Sequence, residues 1–364
     1  MMAEITVTTK DKVYPVYISQ NALHEQAEHL LAELGRFSKV FVMTDENVAK
    51  SHMEKIDELL APLPNVSYYV TPAGEVAKTF AVYEDAMTKA IQVGLDRKSV
   101  LLAFGGGVIG DLGGFVAATY MRGIAFYQIP TTVLAHDSAV GGKVAINHPL
   151  GKNMVGNFYQ PEAVIYDTSL LGTLSEREMR SGFAELVKHA LIQDPALLVE
   201  LMATYQVPMD LYRVDLTPYL ARGIEIKAAI VSQDETEQGV RAFLNFGHTM
   251  GHAIEAYGEF GKWLHGESIT FGMIYALDMS ERLLGLTFDK EALLTWLAGL
   301  GYDVQLPVGL DFDVLLENMK HDKKTAFNEI TMILLEEIGK PKIQKVSDDV
   351  IAETFRRLSQ EGQA

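Results

Sequence analysis

Ser99-Val-Leu-Leu-Ala-Phe104 runs directly into Gly105-Gly-Gly-Val-Ile-Gly110-Asp111. The first six residues are apolar on both faces, as a central parallel strand must be when helices cover both sides of a sheet. The next seven satisfy G-x-G-x-x-G and open a small-residue helix predicted over 108–119. Glycine there lets backbone N–H groups approach a pyrophosphate, and the helix N-terminus favours the anion. The same glycines also serve plain strand-to-helix packing, so the motif alone is weak.

Working outward, short β-like runs alternate with helical spacing. Val40–Met43 reads as a strand, with Asp45 an N-cap for a helix over 46–60. Val66–Val70 is a second strand, Lys78–Val93 a helix, Ser99–Phe104 the third strand and Ala125–Ile129 the fourth. This alternation predicts an α/β domain, a doubly wound Rossmann-like parallel sheet, over residues 1–172. Beyond that point Ser175-Glu-Arg-Glu178 fits a capping box opening a helix through about Ile192. Helical stretches follow over 195–204, 216–233, 246–257, 266–284, 288–300 and 347–359, and only Glu329–Leu335 looks β-like. The expectation is a mostly α-helical second domain over 173–364, with a ligand cleft between the two.

A dinucleotide fingerprint usually sits on the first strand with an acid about 20 residues on. Here it follows the third strand, and Leu112–Ala135 contains no acid. Asp45 and Asn47, just beyond the first parallel strand, are the nearest candidates for a ribose. Pro72-Ala-Gly-Glu75-Val-Ala-Lys78 lies at the same sheet edge. Each loop singly reads as a cap or turn; together they favour a cofactor.

Composition bounds the rest. The 364 residues carry 31 Lys+Arg against 48 Asp+Glu, a net charge of −17, with 48% hydrophobic residues, ten His and no Cys. The charge argues against a nucleic-acid or anionic-membrane partner. Missing cysteine excludes disulfides, thiolate ligands and a thiol nucleophile, and fits a cytoplasmic chain. No signal peptide is read at the N-terminus, and the apolar stretch 100–135 is too broken by Gly, Asp111 and Arg122 to span a bilayer. Against this background Arg122–Val155 holds three Lys/Arg and one acid, Asp137. Lys143, after Gly-Gly, suits a phosphate. It is not a P-loop, because Val144 follows the lysine and position 137 is Asp, so a phosphorylated small molecule is preferred over a nucleoside triphosphatase.

His248 and His252 stand four residues apart in Asn245-Phe-Gly-His248-Thr-Met-Gly-His252-Ala-Ile-Glu255, one face of a helix. The Glu that a metalloprotease places after the first His is missing. His265-Gly-Glu267 opens the next helix, and Glu185 is a carboxylate on an apolar helical face. Two His plus one carboxylate with open positions is a hydrolytic or Lewis-acid zinc arrangement. Spacing leaves open which two of His248, His252 and His265 ligate.

These residues resemble the 3-dehydroquinate synthase family of sugar-phosphate cyclases over nearly the whole chain. The resemblance rests on Gly-Glu-x-x-Lys (74–78), GGGVIGDLGGFVA (105–117), Arg122-Gly, Pro-Thr-Thr (130–132) and DSAVGGK (137–143). It continues through NHPLGKNMVGNFYQP (147–161), GFAELVKH (182–189), LNFGHTMGHAIE (244–255), LHGE (264–267) and Asp322-Lys-Lys324. It implies NAD, one divalent metal (zinc or cobalt), a homodimer, and conversion of 3-deoxy-D-arabino-heptulosonate 7-phosphate to 3-dehydroquinate and phosphate. The implied course is transient oxidation of a hydroxyl, phosphate elimination, re-reduction, ring opening and aldol closure. Carried over, the metal ligands are Glu185, His248 and His265. NAD contacts are Asp45, Asn47, Glu75, Lys78, Gly106, Gly107, Val108, Asp111, Thr131, Thr132, Lys143, Lys152 and the turn Leu170–Thr173. Substrate phosphate meets Lys143, Asn153, His252 and Lys323 or Lys324, with Arg122 reaching from a partner subunit. Lys227 and Arg241 bind the carboxylate; Asp137, Lys188 and Asn245 contact ring hydroxyls, with Lys152 beside them. The stretch Val133–Asp137 departs from the family by being one residue shorter than in some members.

Three other readings share features. Sister cyclases making 2-deoxy-scyllo-inosose or 2-epi-5-epi-valiolone lack the substrate carboxylate that Lys227 and Arg241 would meet. A metal-dependent polyol dehydrogenase has no use for the phosphate set around Lys143 and Lys152, and Glu rather than Asp stands as first ligand. A non-enzymatic NAD sensor has no need of two His and a Glu.

Overall fold

The computed structural model describes residues 2–259, 261–322 and 330–361. Two compact units make up the chain: Met1–Leu174 with Leu220–Glu235, and Ser175–Tyr219 with Thr236–Ala364.

The first unit carries β1 (Ala3–Thr8), β2 (Val13–Ser19), β3 (Val40–Asp45), β4 (Val66–Thr71), β5 (Val100–Gly105) and β6 (Ala125–Pro130). After them come a hairpin of β7 (Lys143–His148) and β8 (Gly151–Phe158), then β9 (Val164–Asp167). Seven strands form one sheet in the order β1-β2-β9-β6-β5-β3-β4, parallel except for the β1–β2 hairpin. This bears out the doubly wound sheet expected from the sequence. Every residue of β5 is buried. Alternate residues of β3 and β5 enter opposite cores: Phe41, Met43, Leu101 and Ala103 on one face, and Val40, Val42, Val100, Leu102 and Phe104 on the other. Burying each of the larger of these side chains contributes roughly 1.5–3 kcal/mol, which fixes the register against a one-residue slip.

From β3 the chain passes to β4 on one side and then to β5 on the other, so strand order reverses between the C-terminal ends of β3 and β5. Ligands of such sheets bind at that reversal. The helix Gly107–Thr119 leaves β5 here and is buried nearly all round. Closeness requires Gly114, where a Cβ would lie 2.3 Å from Val144 Cγ1, while one on Gly110, 2.7 Å from Gln128 Oε1, would push that side chain aside.

The sequence division at 172 placed residues 220–235 in the helical half, whereas they belong to the first unit. Glu235 accepts from Lys10 N at 3.0 Å and Gln160 Nε2 at 2.8 Å, and Lys227 pairs with Asp137.

The second unit is mostly helical: Glu176–Gln193, Pro195–Thr204, His248–Tyr257, His265–Leu284, Lys290–Gly299, Phe312–Asp322 and Asp348–Glu361. The capping box at Ser175 and Glu178 forms as read. A hairpin of β10 (Ile330–Glu337) and β11 (Lys340–Val346) completes it. β11, with Pro341 and three lysines on a largely exposed ribbon, offers no apolar alternation to read. Among the described residues no helix is long and apolar enough to cross a membrane.

Candidate active site

Three helices of the second unit converge through glycine. A Cβ on Gly266 would lie 1.9 Å from Ser181 O, and one on Gly272 1.8 Å from Gly247 O. Any side chain at either position would force backbones apart. Gly247, at φ 80°, turns the chain so that His248 opens its helix. Ser181 Oγ accepts from Gly266 N at 2.9 Å. Glu267 caps its own helix at Leu264 N, 2.8 Å, and is gripped by Arg177 Nε and Nη2 at 2.6 Å each. Those bonds set the entry of the helix that begins at His265.

The product of this packing is a cluster in which Glu185, His248 and His265 each bring one donor atom within 4.8 Å of the others. His265 Nε2 lies 3.3 Å and His248 Nε2 3.6 Å from Glu185 Oε1. An ion bound at about 2.0–2.1 Å in tetrahedral geometry holds neighbouring donors about 3.3 Å apart, so two imidazoles and a carboxylate at these separations fit a divalent metal ion. His252, Glu255 and His265 form a second group within the same limit. Glu255 Oε2 is 3.3 Å from His265 Nδ1 and 4.0 Å from His252 Nε2.

Electrostatics suit a cation. Burial, helped by Lys188, His252 and His265, keeps the His248 ring well below its ordinary value against the pull of Glu185, so its lone pair is available. Burial also opposes charge on His265, yet Glu255 and Glu185 lift it to about 9. Lys188, one turn from Glu185, contacts that carboxylate. Arg241, fully buried, sits in the turn Val240–Asn245. Asn245 Nδ2 donates to Glu237 Oε1 at 2.5 Å, and Glu237 holds a left-handed φ of 59°.

At the sheet edge of the first unit, Asp45 Oδ1 accepts from Asn47 N at 2.9 Å and Val48 N at 3.1 Å, realising the N-cap. Lys78, buried, pairs with Asp111 at 2.7 Å and contacts Asn153 Oδ1. Lys152 lies 3.1 Å from Glu75, which also accepts from Asn147 Nδ2 at 2.9 Å. Burial pushes Glu75 up, but Lys152, Lys78 and Asn147 together hold it below its ordinary value. Burial raises Asp111 against the pull of Lys78. Gly106 and Gly107 begin the helix, with Val108 after them; a Cβ on Gly106 would lie 2.8 Å from Thr132 Cγ2. Thr131 is buried, its N–H donating to Gly105 O. The turn Thr168–Thr173 carries Leu170, and Thr173 Oγ1 is 2.8 Å from His52 Nε2.

Lys227 Nζ lies 3.1 Å from Asp137 Oδ1 within this unit. Lys143 opens β7 on the exposed side. Arg122, exposed, follows Met121 in two consecutive left-handed residues at φ 49° and 71°. Lys323 and Lys324 lie outside the described residues. Sequence reasoning assigned nothing to Glu237, Glu255, His52, Arg177, Gly266 and Gly272, whose contacts the structure supplies. Glu255 and Gly266 stand inside motifs already singled out, so their positions were signalled without their functions.

Two family models match the chain: 3-dehydroquinate synthase N-terminal over residues 68–181 and 3-dehydroquinate synthase C-terminal over residues 182–325. A 3-dehydroquinate synthase of Listeria monocytogenes serotype 4b is 68% identical over 361 residues, covering 99% of this chain and 99% of that protein. Among solved structures, 2-deoxy-scyllo-inosose synthase complexed with carbaglucose-6-phosphate, NAD+ and Co2+ aligns with a TM-score of 0.84 at 28% identity, covering 98% of this chain and 99% of that one. The fold is shared by 2-epi-5-epi-valiolone synthase of Streptomyces hygroscopicus with NAD+ and Zn2+ bound, at a TM-score of 0.87, 24% identity and coverage of 97% and 99%. With a cluster of two histidines and a glutamate in its helical unit and both family models matched in sequence order, the chain belongs to the 3-dehydroquinate synthase family.

Proposed function

We propose that this chain is a carbon–oxygen lyase acting on a phosphate ester, converting 3-deoxy-D-arabino-heptulosonate 7-phosphate to 3-dehydroquinate and phosphate in the shikimate pathway. The observation that carries this reading is the convergence of Glu185, His248 and His265 in a chain matched to 3-dehydroquinate synthases over its full length. When bound, NAD+ takes a hydride from a substrate hydroxyl and returns it later, while a divalent ion held by these three residues polarises that oxygen.

In this reading Gly106, Gly107 and Val108 receive the pyrophosphate at the helix N-terminus. Asp45, Asn47, Glu75, Lys78, Asp111, Thr131, Thr132 and the Leu170–Thr173 turn hold the rest of NAD, with Lys143 and Lys152 beside it. Lys143, Asn153 and His252 bind the substrate phosphate, one of whose oxygens takes the neighbouring C–H proton as the C–O bond breaks. Lys323 or Lys324 joins them. Arg241 and Lys227 receive the substrate carboxylate, which distinguishes this activity from the sister cyclases. A buried guanidinium such as that of Arg241 suits planar, bidentate carboxylate recognition. Asp137, Lys188 and Asn245 contact hydroxyls, and closure of the ring needs mainly an oriented chain. We read the protein as a cytoplasmic homodimer in which the exposed Arg122 serves the partner subunit's phosphate.

The test is phosphate release from the heptulosonate phosphate with substoichiometric NAD+ and no net NADH. Stoichiometric NADH would identify a dehydrogenase, and failure to turn over would overturn the enzyme assignment.

A further inference from the structure

Each histidine of the cluster has two ring nitrogens, and the neutral ring carries its proton on only one. For His248, Nε2 faces Glu185 and Nδ1 lies 3.1 Å from the carbonyl oxygen of Phe246. For His265, Nε2 faces Glu185 and Nδ1 lies 3.3 Å from Glu255 Oε2. Both rings therefore show the same pattern: Nε2 turned to the cluster and Nδ1 beside an acceptor. For His248 that acceptor is backbone, which no substitution removes. For His265 it is a side chain, 3% exposed, on the helix His248–Tyr257.

We infer that Glu255 is the positioning residue of the metal centre: its buried carboxylate accepts the Nδ1–H of His265 and so holds Nε2 as the donor toward Glu185 and His248. The inference rests on the reading of those three residues as ligands. Carboxylates behind ligating histidines fix the ring's tautomer and orientation and raise its basicity, and their removal weakens metal binding roughly 10–100-fold. Glu255 does not touch the ion in this arrangement; it acts through His265. The second donor group, His252 with Glu255 and His265, is the competing arrangement, in which Glu255 would ligate directly and Glu185 would stand aside.

The full-length chain, stripped of metal by chelation and titrated with Co2+, separates these cases through its visible d–d absorption. Wild type should bind Co2+, and E185A should lose the band; an unchanged band in E185A overturns the ligand reading, whatever Glu255 does. With that reading intact, E255A should bind Co2+ about 10–100-fold more weakly, with far-UV circular dichroism unchanged. E255Q, which keeps an acceptor oxygen, should recover part of the affinity. Where E255A fails to fold, E255L fills the same space without an acceptor and takes its place. Wild-type affinity in a folded E255A or E255L overturns the proposal. So does a loss in E255Q as large as in E255A, since packing rather than hydrogen-bond acceptance would then be at stake.

Discussion

His52 and His252 both sit inside helices, and their surroundings send them to different tasks. His52 is buried on the helix Glu46–Leu60 with Nε2 2.8 Å from Thr173 Oγ1, bracing the turn proposed to touch NAD. Burial, reinforced by Lys55, holds its ring below the ordinary 6.5. A depressed folded value means that the unfolded chain takes up the proton first as pH falls. The stability contribution of neutral His52 is therefore complete above pH 6.5 and lost below it, down through the folded value. The urea midpoint should fall more between pH 7 and pH 5 in wild type than in H52Q; equal slopes would show that His52 does not contribute. His252 is a third exposed and lies one helical turn beyond His248, with ring centroids 5.1 Å apart. Its proposed partner is substrate phosphate, so His252→Ala should cut turnover by about 10²–10⁴-fold, the usual range for a residue handling a proton or the leaving group. NAD affinity should stay within about twofold, and an equal loss of both would place His252 elsewhere. The sequence marks His252 by its spacing from His248, whereas His52 carries no local signal, because its partner Thr173 lies 121 residues away.

Between elements, the decisive contacts are those where no side chain fits. Helices Glu176–Gln193 and His265–Leu284 touch at Gly266, where a Cβ would lie 1.9 Å from Ser181 O. Gly266→Ala must separate them, and His265, the adjoining residue, moves away from Glu185 with its helix. Metal affinity should fall at least tenfold by isothermal titration. Gly261→Ala, whose Cβ would meet nothing nearer than Glu259 O at 4.0 Å, should bind as wild type does. A Gly266→Ala chain with unchanged affinity would show that this contact does not set the ligand spacing. β3 and β5 were legible as short runs apolar on both faces, and the helix that carries Glu185 by its capping box at Ser175 and Glu178. β8 and β11 were not, since both lie on exposed hairpins where apolar alternation is weak. The helix Phe312–Asp322 also went unread, though Leu315 and Met319 are buried at its i,i+4 spacing. Gly266 itself stood in a quoted motif, but the backbone it must accommodate is 85 residues earlier, beyond any local pattern.

For the whole molecule, the charge of −17 says little about where ligands go. Arg122–Val155 reads as locally basic, yet the fold brings Glu75 to Lys152 and sets Asp111 against Lys78 beside Asn153. The candidate nucleotide residues therefore form an ion-paired network within the first unit, while the proposed metal ligands belong entirely to the second. If each unit holds its own group, the two can be removed one at a time. E185A should lose Co2+ binding and turnover while its NAD dissociation constant, followed by quenching of protein fluorescence, stays within about twofold. Gly106→Val places branched carbons where a single Cβ already lies 2.8 Å from Thr132 Cγ2, at the turn through which backbone N–H groups would meet the pyrophosphate. That variant should lose at least tenfold in NAD affinity and keep wild-type Co2+ absorption. If E185A also loses NAD, or Gly106→Val also loses the Co2+ band, the two groups do not bind independently and the division of labour between the units is wrong.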